Sequence, residues 1–420
     1  MTSRAVPNLL PVGVGGDIGV YAMVRAFHEQ YGCDAVVLSS VATRAMASSS
    51  FVTNVVTPGI DDPEVLVTAL ERIADEHPGR TLVLLTNADW FVRTIVENRE
   101  RLEPLYVMSY CTLDVLEQVS SKEGFAEVCE RLGIPTPRTV AVSVPQLVAD
   151  GGLAAIPALK VDLEFPVVAK PSSSADYHYV SFPGKRKIHH VNTREELDEL
   201  LGHLVTAGYP GTFLVQELIP GDETQMRSLT AYRDSRGAIT LLATGRVLLE
   251  EHTPGTLGIP AAILTEPYED AMDAASRFLD SVGYTGFANF DYKLDPRTGE
   301  HVYFEMNPRI GRNNYYVTAA GANIARVLVE DKVLDVAAEP VRATKEVLYS
   351  VVPFRLLRRY LLDPVLRGRV EAVRARGDAV HPLRYRKDAG PVRRFVVEAM
   401  TWKFFSKYRQ HYPAPTSTGY

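Results

Sequence analysis

Glu305 and Asn307, within the run Phe304-Glu305-Met306-Asn307-Pro308-Arg309, lie a short distance downstream of a lone carboxylate, Asp291. Between them sits Asp295-Pro296-Arg297-Thr298-Gly299, a turn by composition, so the segment reads as a β-hairpin. Alternation assigns the faces. On the first strand Asn289, Asp291 and Lys293 point one way, and Ala288, Phe290, Tyr292 and Leu294 the other. On the second, Val302, Phe304 and Met306 are expected to face the core, with Glu305 and Asn307 facing out. Asp291, Glu305 and Asn307 can therefore meet on one polar face. Two carboxylates that close repel unless a proton or a cation intervenes. Hard oxygen ligands of this kind suit Mg²⁺ shared with substrate phosphates. The plainer alternative is an exposed hairpin with ordinary polar residues, because exposed faces are often acidic.

Other groups suit an anion. Phe165-Pro166-Val167-Val168-Ala169-Lys170 is an apolar strand ending in a lysine, followed by a hydroxyl-rich loop that begins Ser172-Ser173-Ser174. A lysine at the base of such a loop, with amides and hydroxyls as further donors, suits phosphate oxygens. Lys122 falls in the first turn of a helix expected over residues 120–132, where a cation opposes the positive end of the helix dipole. A positioned anion would explain that placement, and so would plain solvation of a surface lysine.

These residues must be positioned by a large scaffold. The chain has 420 residues, enough for two to four domains, and its 46% hydrophobic and 23% charged content is ordinary for a globular protein. Three cysteines, an odd number with no metal-ligand spacing, argue against a disulfide framework or a zinc site and for a reducing cytosol. The opening residues are too short and polar before the first strand to form a signal peptide, and no apolar run of about 18 residues is present. The formal net charge is −6, yet residues 351–420 hold 15 Lys/Arg against 5 Asp/Glu. A basic tail on an acidic body suggests a separate module facing an anionic partner. A helical cap on the main body is the plainer reading.

Residues 8–112 read as an α/β unit. Strands near 8–14, 33–39 and 81–86 are interleaved with helices near 21–31 and 63–77, which implies a parallel sheet. Gly13, Gly15, Gly16 and Gly19 invite a dinucleotide reading, but the acid it requires at the end of the second strand is missing from Leu38-Ser39-Ser40. A tight turn whose amides face a carboxylate or phosphate fits better. Further strands are expected near 213–219, 227–232 and 239–249, and a helix near 269–282. A helix near 392–408 should place Phe395, Val396, Ala399, Met400 and Phe404 near one side.

The order of these signals carries more than any one of them. Lys122 precedes Gly133-Ile134-Pro135-Thr136-Pro137; then come Lys170, Gln216-Glu217-Leu218-Ile219-Pro220-Gly221-Asp222-Glu223, Asp291 and Glu305 to Arg309. This series resembles the ATP-grasp superfamily of carboxylate–amine ligases. Gly15-Gly16-Asp17-Ile18-Gly19-Val20-Tyr21, followed by Arg25-Ala26-Phe27-His28-Glu29-Gln30-Tyr31-Gly32, is similar to its D-aspartate ligase-like branch. The resemblance implies an α/β and α+β multidomain chain: a Rossmann-like α/β domain over 1–112, an ATP-grasp domain of two subdomains over 113–340, and a basic helical extension over 341–420. It implies ATP and Mg²⁺, two ions in number, as cofactors. Lys122 and Lys170 would hold ATP phosphates, with the Ser172, Ser173 and Ser174 loop closing over them. Gln216, Glu217 and Ile219 would meet the adenine and Glu223 the ribose. Asp291, Glu305 and Asn307 would bind the metal. Arg309, helped by Arg246, would meet the carboxylate or acyl phosphate, and Arg312 to Tyr316 would line the acceptor site.

The activity so implied is ADP-forming formation of an amide or peptide bond through an acyl phosphate. The branch adds an amino acid, D-Asp being what the resemblance suggests, to the amine of a peptidoglycan precursor. The expected partners are an amino-acid substrate, an amine acceptor that is lipid-linked or nucleotide-linked and anionic, and a second copy of the chain; no nucleic acid is expected. The expected location is cytoplasmic, at the inner membrane face if the basic tail meets lipid. Two alternatives stay open: a ligase joining two small metabolites, and a nucleotide-binding regulator without catalysis.

Overall fold

The computed structural model describes residues 8–172, 177, 180–186, 188–416 and 418–419. Three sheets organise it. The first is parallel, in the order β3-β2-β1-β4, from β1 (Leu9–Val14), β2 (Ala35–Ser39), β3 (Val52–Val56) and β4 (Thr81–Thr86). β1 and β2 are buried along their whole length and β4 in all but its first residue, as strands covered on both faces must be. Helix Ile18–Tyr31 leaves β1 through the glycine turn and packs against helix Ile324–Lys332 of the large domain.

The second sheet is antiparallel, ordered β5-β8-β6-β7: β5 (Thr139–Ser143), β6 (Val167–Pro171), β7 (His189–Val191) and β8 (Thr212–Glu217). The helix Arg194–Thr206 covers it through Leu197, Leu200, Leu201 and Leu204. The third sheet runs β13-β12-β9-β10-β11-β15-β16. Its strands are β9 (Met226–Arg233), β10 (Ile239–Glu250), β11 (Pro260–Thr265), β12 (Gly286–Leu294), β13 (His301–Asn307), β15 (Leu348–Ser350) and β16 (Ala379–Val380), with β14 (Val341–Arg342) paired to β10. Helix Glu269–Ser281 lies on one face, burying Ala271, Met272, Ala275, Phe278 and Leu279.

The basic C-terminal segment is built into this body. β15 and β16 extend the third sheet, and one continuous apolar core joins Val24 and Phe27 of the first domain to Leu328, Leu357, Val370 and Val397. Two buried arginines fasten it. Arg25 donates to the carbonyls of His381, Pro382 and Arg384, and Arg393 to those of Ala45 and Ala47. Asp388, 2% exposed, accepts from the Tyr21 hydroxyl at 2.6 Å and the Ser50 amide at 2.6 Å and lies 3.4 Å from Arg393 Nε. Burying charge is tolerable only where it is paired and hydrogen-bonded, as here. The helix expected near 392–408 spans Pro391–His411, but its inner face is Arg393, Val397, Thr401 and Tyr408. Phe395 is 75% exposed and Ala399 also faces out, so the apolar side expected from the sequence is rotated. Among the described residues no helix is long and apolar enough to cross a membrane.

Replacing Asp388 by Ala would strand the Arg393 guanidinium and the Tyr21 hydroxyl together. A stability loss of about 3–5 kcal/mol is expected in denaturant unfolding. A loss below ~1 kcal/mol would show that Asp388 does not fasten the segment.

Candidate functional site

The hairpin delivers its two acids to each other. Asp291 of β12 lies directly opposite Glu305 of β13, and Asn289 opposite Asn307. Beyond that pair the register shifts: Tyr292 faces Tyr303, which leaves Phe304 as an extra residue. A bulge of this kind re-aims one side chain. Tyr303 and Val302 take the buried positions, while Phe304, expected in the core, turns to the cleft wall beside Glu305.

Asp291 accepts from Asn289 Nδ2 at 3.2 Å and from Asn307 Nδ2 at 3.1 Å. Arg309 Nη2 donates to Asn307 Oδ1 at 3.0 Å and to Asp89 Oδ2 at 3.1 Å. Burial pushes the Asp291 carboxyl above the usual carboxylate range, and the charge of Glu305 pushes it further; Arg309 and the two amides offset only part. Two carboxylates and an amide brought together, with a shortfall of positive charge between them, fit a hard divalent ion. Their small number leaves most coordination positions to phosphate oxygens and water, as Mg²⁺ prefers.

The cleft beside them, about 350 Å³, opens between the second and third sheets. Lys122 and Lys170 line it from one side, with Gln216, Glu217 and Ile219 at the strand that joins the two halves. Lys122 heads the helix Lys122–Leu132, capped by Ser121, and its Nζ donates to the Pro171 carbonyl at 2.7 Å. The lysine at the helix start thus reaches the base of the hydroxyl loop. Ser172 follows β6 directly; Ser173 and Ser174 lie outside the described residues. Gln216 Nε2 donates to Thr139, and Glu217 pairs with Arg297 at 2.8 Å and Arg138 at 3.3 Å. Those contacts occupy the side chains, so the edge facing the cleft there is largely backbone.

Two expected residues are engaged by protein groups. Glu223 begins a short turn capped by Asp222. Its carboxylate accepts from the amide of Glu250, which lines the cleft, and stands 3.2 Å from His252 Nε2. Arg246 donates Nε to the Thr224 carbonyl at 2.9 Å and is not among the cleft-lining residues. The structure also brings in Lys293 and Glu250, neither given a site role from the sequence. Lys293 shares the face of Asp291 and donates to the carbonyls of Ile219 and Gly221 at 3.0 and 2.6 Å, which fixes the segment after β8 beside the cleft. Burial, reinforced by Glu223, pushes the Glu250 carboxyl well above its usual range. Alternation could have flagged Lys293. Glu250 was hidden because β10 shifts register between Val247 and Leu249 and again at Glu250.

The first domain closes one end of the site. Asp17 caps helix Ile18–Tyr31, accepting from the Gly19 and Val20 amides at 2.8 and 2.9 Å, so the amides expected to meet an external anion meet this carboxylate. Its other oxygen lies 3.1 Å from Arg312 Nε, and Arg312 Nη1 lies 2.7 Å from Glu251. A Cβ on Gly19 would stand 2.7 Å from the Arg312 carbonyl oxygen; the glycine is required by this close approach.

Residues 228–330 match the family model described as carbamoyl-phosphate synthase L chain, ATP binding domain. The D-aspartate ligase of Enterococcus faecium (strain Aus0004) is 35% identical over 340 residues, 80% of this chain and 79% of that protein. Among solved structures, the ADP complex of N5-carboxyaminoimidazole ribonucleotide synthetase superposes with a TM-score of 0.56 at 15% identity, over 83% of this chain and 82% of that one. An L-amino acid ligase from Bacillus licheniformis does so with 0.54 at 14%, over 77% and 74%. These two likenesses concern the fold.

A proton and a metal compete for Asp291, so Mg²⁺ affinity should rise as pH rises through its elevated pKa. Replacing Glu305 by Gln removes a neighbouring charge that holds this pKa up and should move the Asp291 titration to lower pH. Carboxyl-carbon NMR would read the shift; an unmoved titration would mean the two acids do not interact.

Proposed function

The chain belongs to the D-aspartate ligase family of ATP-grasp carboxylate–amine ligases, and from that premise we propose that it attaches an amino acid, D-aspartate first, to an amine of a peptidoglycan precursor. The observation that carries the proposal is the Asp291, Glu305 and Asn307 cluster joined through Arg309 to the first domain, beside a cleft bearing Lys122 and Lys170. ATP and Mg²⁺ are the cofactors of such ligases. When bound, the ion would be held by Asp291, Glu305 and Asn307 and would neutralise charge on phosphate oxygens.

The chemistry has two steps. The amino acid's carboxylate oxygen attacks the γ-phosphorus, the bond to the ADP oxygen breaks, and an acyl phosphate forms. The acceptor amine then attacks the acyl carbon, inorganic phosphate leaves with the bonding pair, and the nitrogen loses a proton. Lys122 and Lys170 are placed to hold phosphate oxygens on one side of the cleft. Arg309, gripped by Asp89 and Asn307, is placed at the end nearest the first domain, where a carboxylate would enter. Its preset orientation means that little reorganisation accompanies the charge shift.

Glu305→Gln should abolish turnover at ordinary Mg²⁺ with the fold intact by circular dichroism; undiminished activity would refute the metal role. Arg309→Ala should lower acyl-phosphate formation by about 10²–10³, typical for one such electrostatic contact, while ATP affinity is held. A fall in ATP affinity alone would remove Arg309 from the carboxylate site. Phosphate release should require ATP, an amino acid and an amine acceptor together. A screen of D- and L-amino acids against peptidoglycan precursors and small amines tests the substrate assignment, and release with small amines alone would overturn the acceptor.

A further inference from the structure

Beyond the catalytic cleft, a groove of about 220 Å³ lies between residues 41–50 of the first domain and the C-terminal helix Pro391–His411. Its charged lining is wholly basic: Arg44, Arg312, Lys403 and Lys407. Ile18, Met400 and Phe404 supply apolar wall. Glu251 answers two of the cations, lying 2.7 Å from Arg312 and 3.4 Å from Lys407. Arg44 and Lys403 are exposed, and among the described residues neither side chain has an ion pair or hydrogen bond. Two uncompensated cations converging on one groove favour a multiply charged anion.

The groove is a built feature. Arg393 and Asp388 lock the 44–51 segment to the C-terminal region, which sets Arg44 across from Lys403. The Tyr408 hydroxyl donates to the Glu250 carbonyl, which seats the same helix against the end of β10, next to Glu251. Arg312 is shared with the centre described above: it stands three residues from Arg309 and bonds Asp17 and Glu251. Arg312 thus sets the groove beside the segment, Arg312 to Tyr316, that the family resemblance assigns to the acceptor. A larger cavity, about 810 Å³, lies on the other side of His381 and Thr401; there Arg25 is occupied by backbone carbonyls, Arg384 by Glu398 and Arg374 by the Phe354 ring, while Arg355 has no ion pair or hydrogen bond among the described residues.

We propose that this groove is an anion subsite for the acceptor, in which Arg44 and Lys403 hold a phosphate or diphosphate group that the amine substrate carries at a distance from its reacting nitrogen. The volume is below that of a pocket for a whole drug-sized ligand (roughly 300–1,000 Å³), so it suits the charged group and not the entire acceptor. The subsite gives the basic C-terminal segment a role in choosing the acceptor. The inference rests on the ligase reading for what the ligand is, and on the groove's own charge for what chemistry it binds.

Inorganic diphosphate is the probe, with a non-hydrolysable ATP analogue saturating the nucleotide cleft. Calorimetry should show binding to the full chain, weakened about ten-fold or more in Arg44→Gln/Lys403→Gln, with analogue affinity unchanged. No binding to the natural chain, or equal binding by the double variant, would overturn the subsite. In kinetics, the double variant should raise KM about ten-fold or more for an acceptor carrying a diphosphate and leave KM for its dephosphorylated form and kcat unchanged. Equal effects on both acceptors would overturn it too. Diphosphate binding through Arg44 and Lys403 without phosphate release for any amino acid and amine would leave the anion site standing and remove the ligase reading.

Discussion

Two carboxylates facing each other across neighbouring antiparallel strands are costly on their own. Asp291 and Glu305 are directly paired in register, and like charges opposite each other destabilise a sheet. The rest of the site answers that repulsion. Asn289 and Asn307 donate to Asp291, Arg309 lends positive charge at one side, and a shortfall remains that a divalent ion with phosphates would fill.

Around this pair the molecule is arranged as mutual clamps. Lys293 pins the segment that follows β8, Lys122 ties a helix start to the base of the hydroxyl loop, and Arg309 and Arg312 tie the chain just after the β12–β13 hairpin to Asp89 and Asp17 of the first domain. The C-terminal segment holds the first domain from behind through Arg25 and Arg393. Three parts distant in sequence thus meet within a few residues of the acids. Domain placement, as well as side-chain identity, sets the geometry at the reacting atoms.

How much of this could be read in advance follows from the physics of each signal. Period-two alternation placed Asp291, Glu305 and Asn307 together because register in a hairpin depends on local sequence. It put Phe304 on the wrong side because a bulge leaves no mark in polarity. The glycine turn was legible as a turn, but its function was not: Gly19 is needed for a contact with Arg312, nearly three hundred residues away. The C-terminal helix was found, yet its inner face was missed, since Arg393 and Thr401 read as surface residues and are buried only by partners elsewhere. Glu223 and Arg246 came from the resemblance alone, and the contacts that hold them, to the Glu250 amide and the Thr224 carbonyl, leave no local signal in the sequence.

If Asp291, Glu305 and Asn307 together hold a nucleotide-bound metal, anomalous diffraction from crystals grown with Mn²⁺ and a non-hydrolysable ATP analogue will show it. A peak is expected within direct coordination distance, about 2.0–2.3 Å, of oxygens from these three side chains, bridging to the analogue's terminal phosphates. A nucleotide seated in the cleft with its metal held by other residues, or no metal between the two acids, would contradict it.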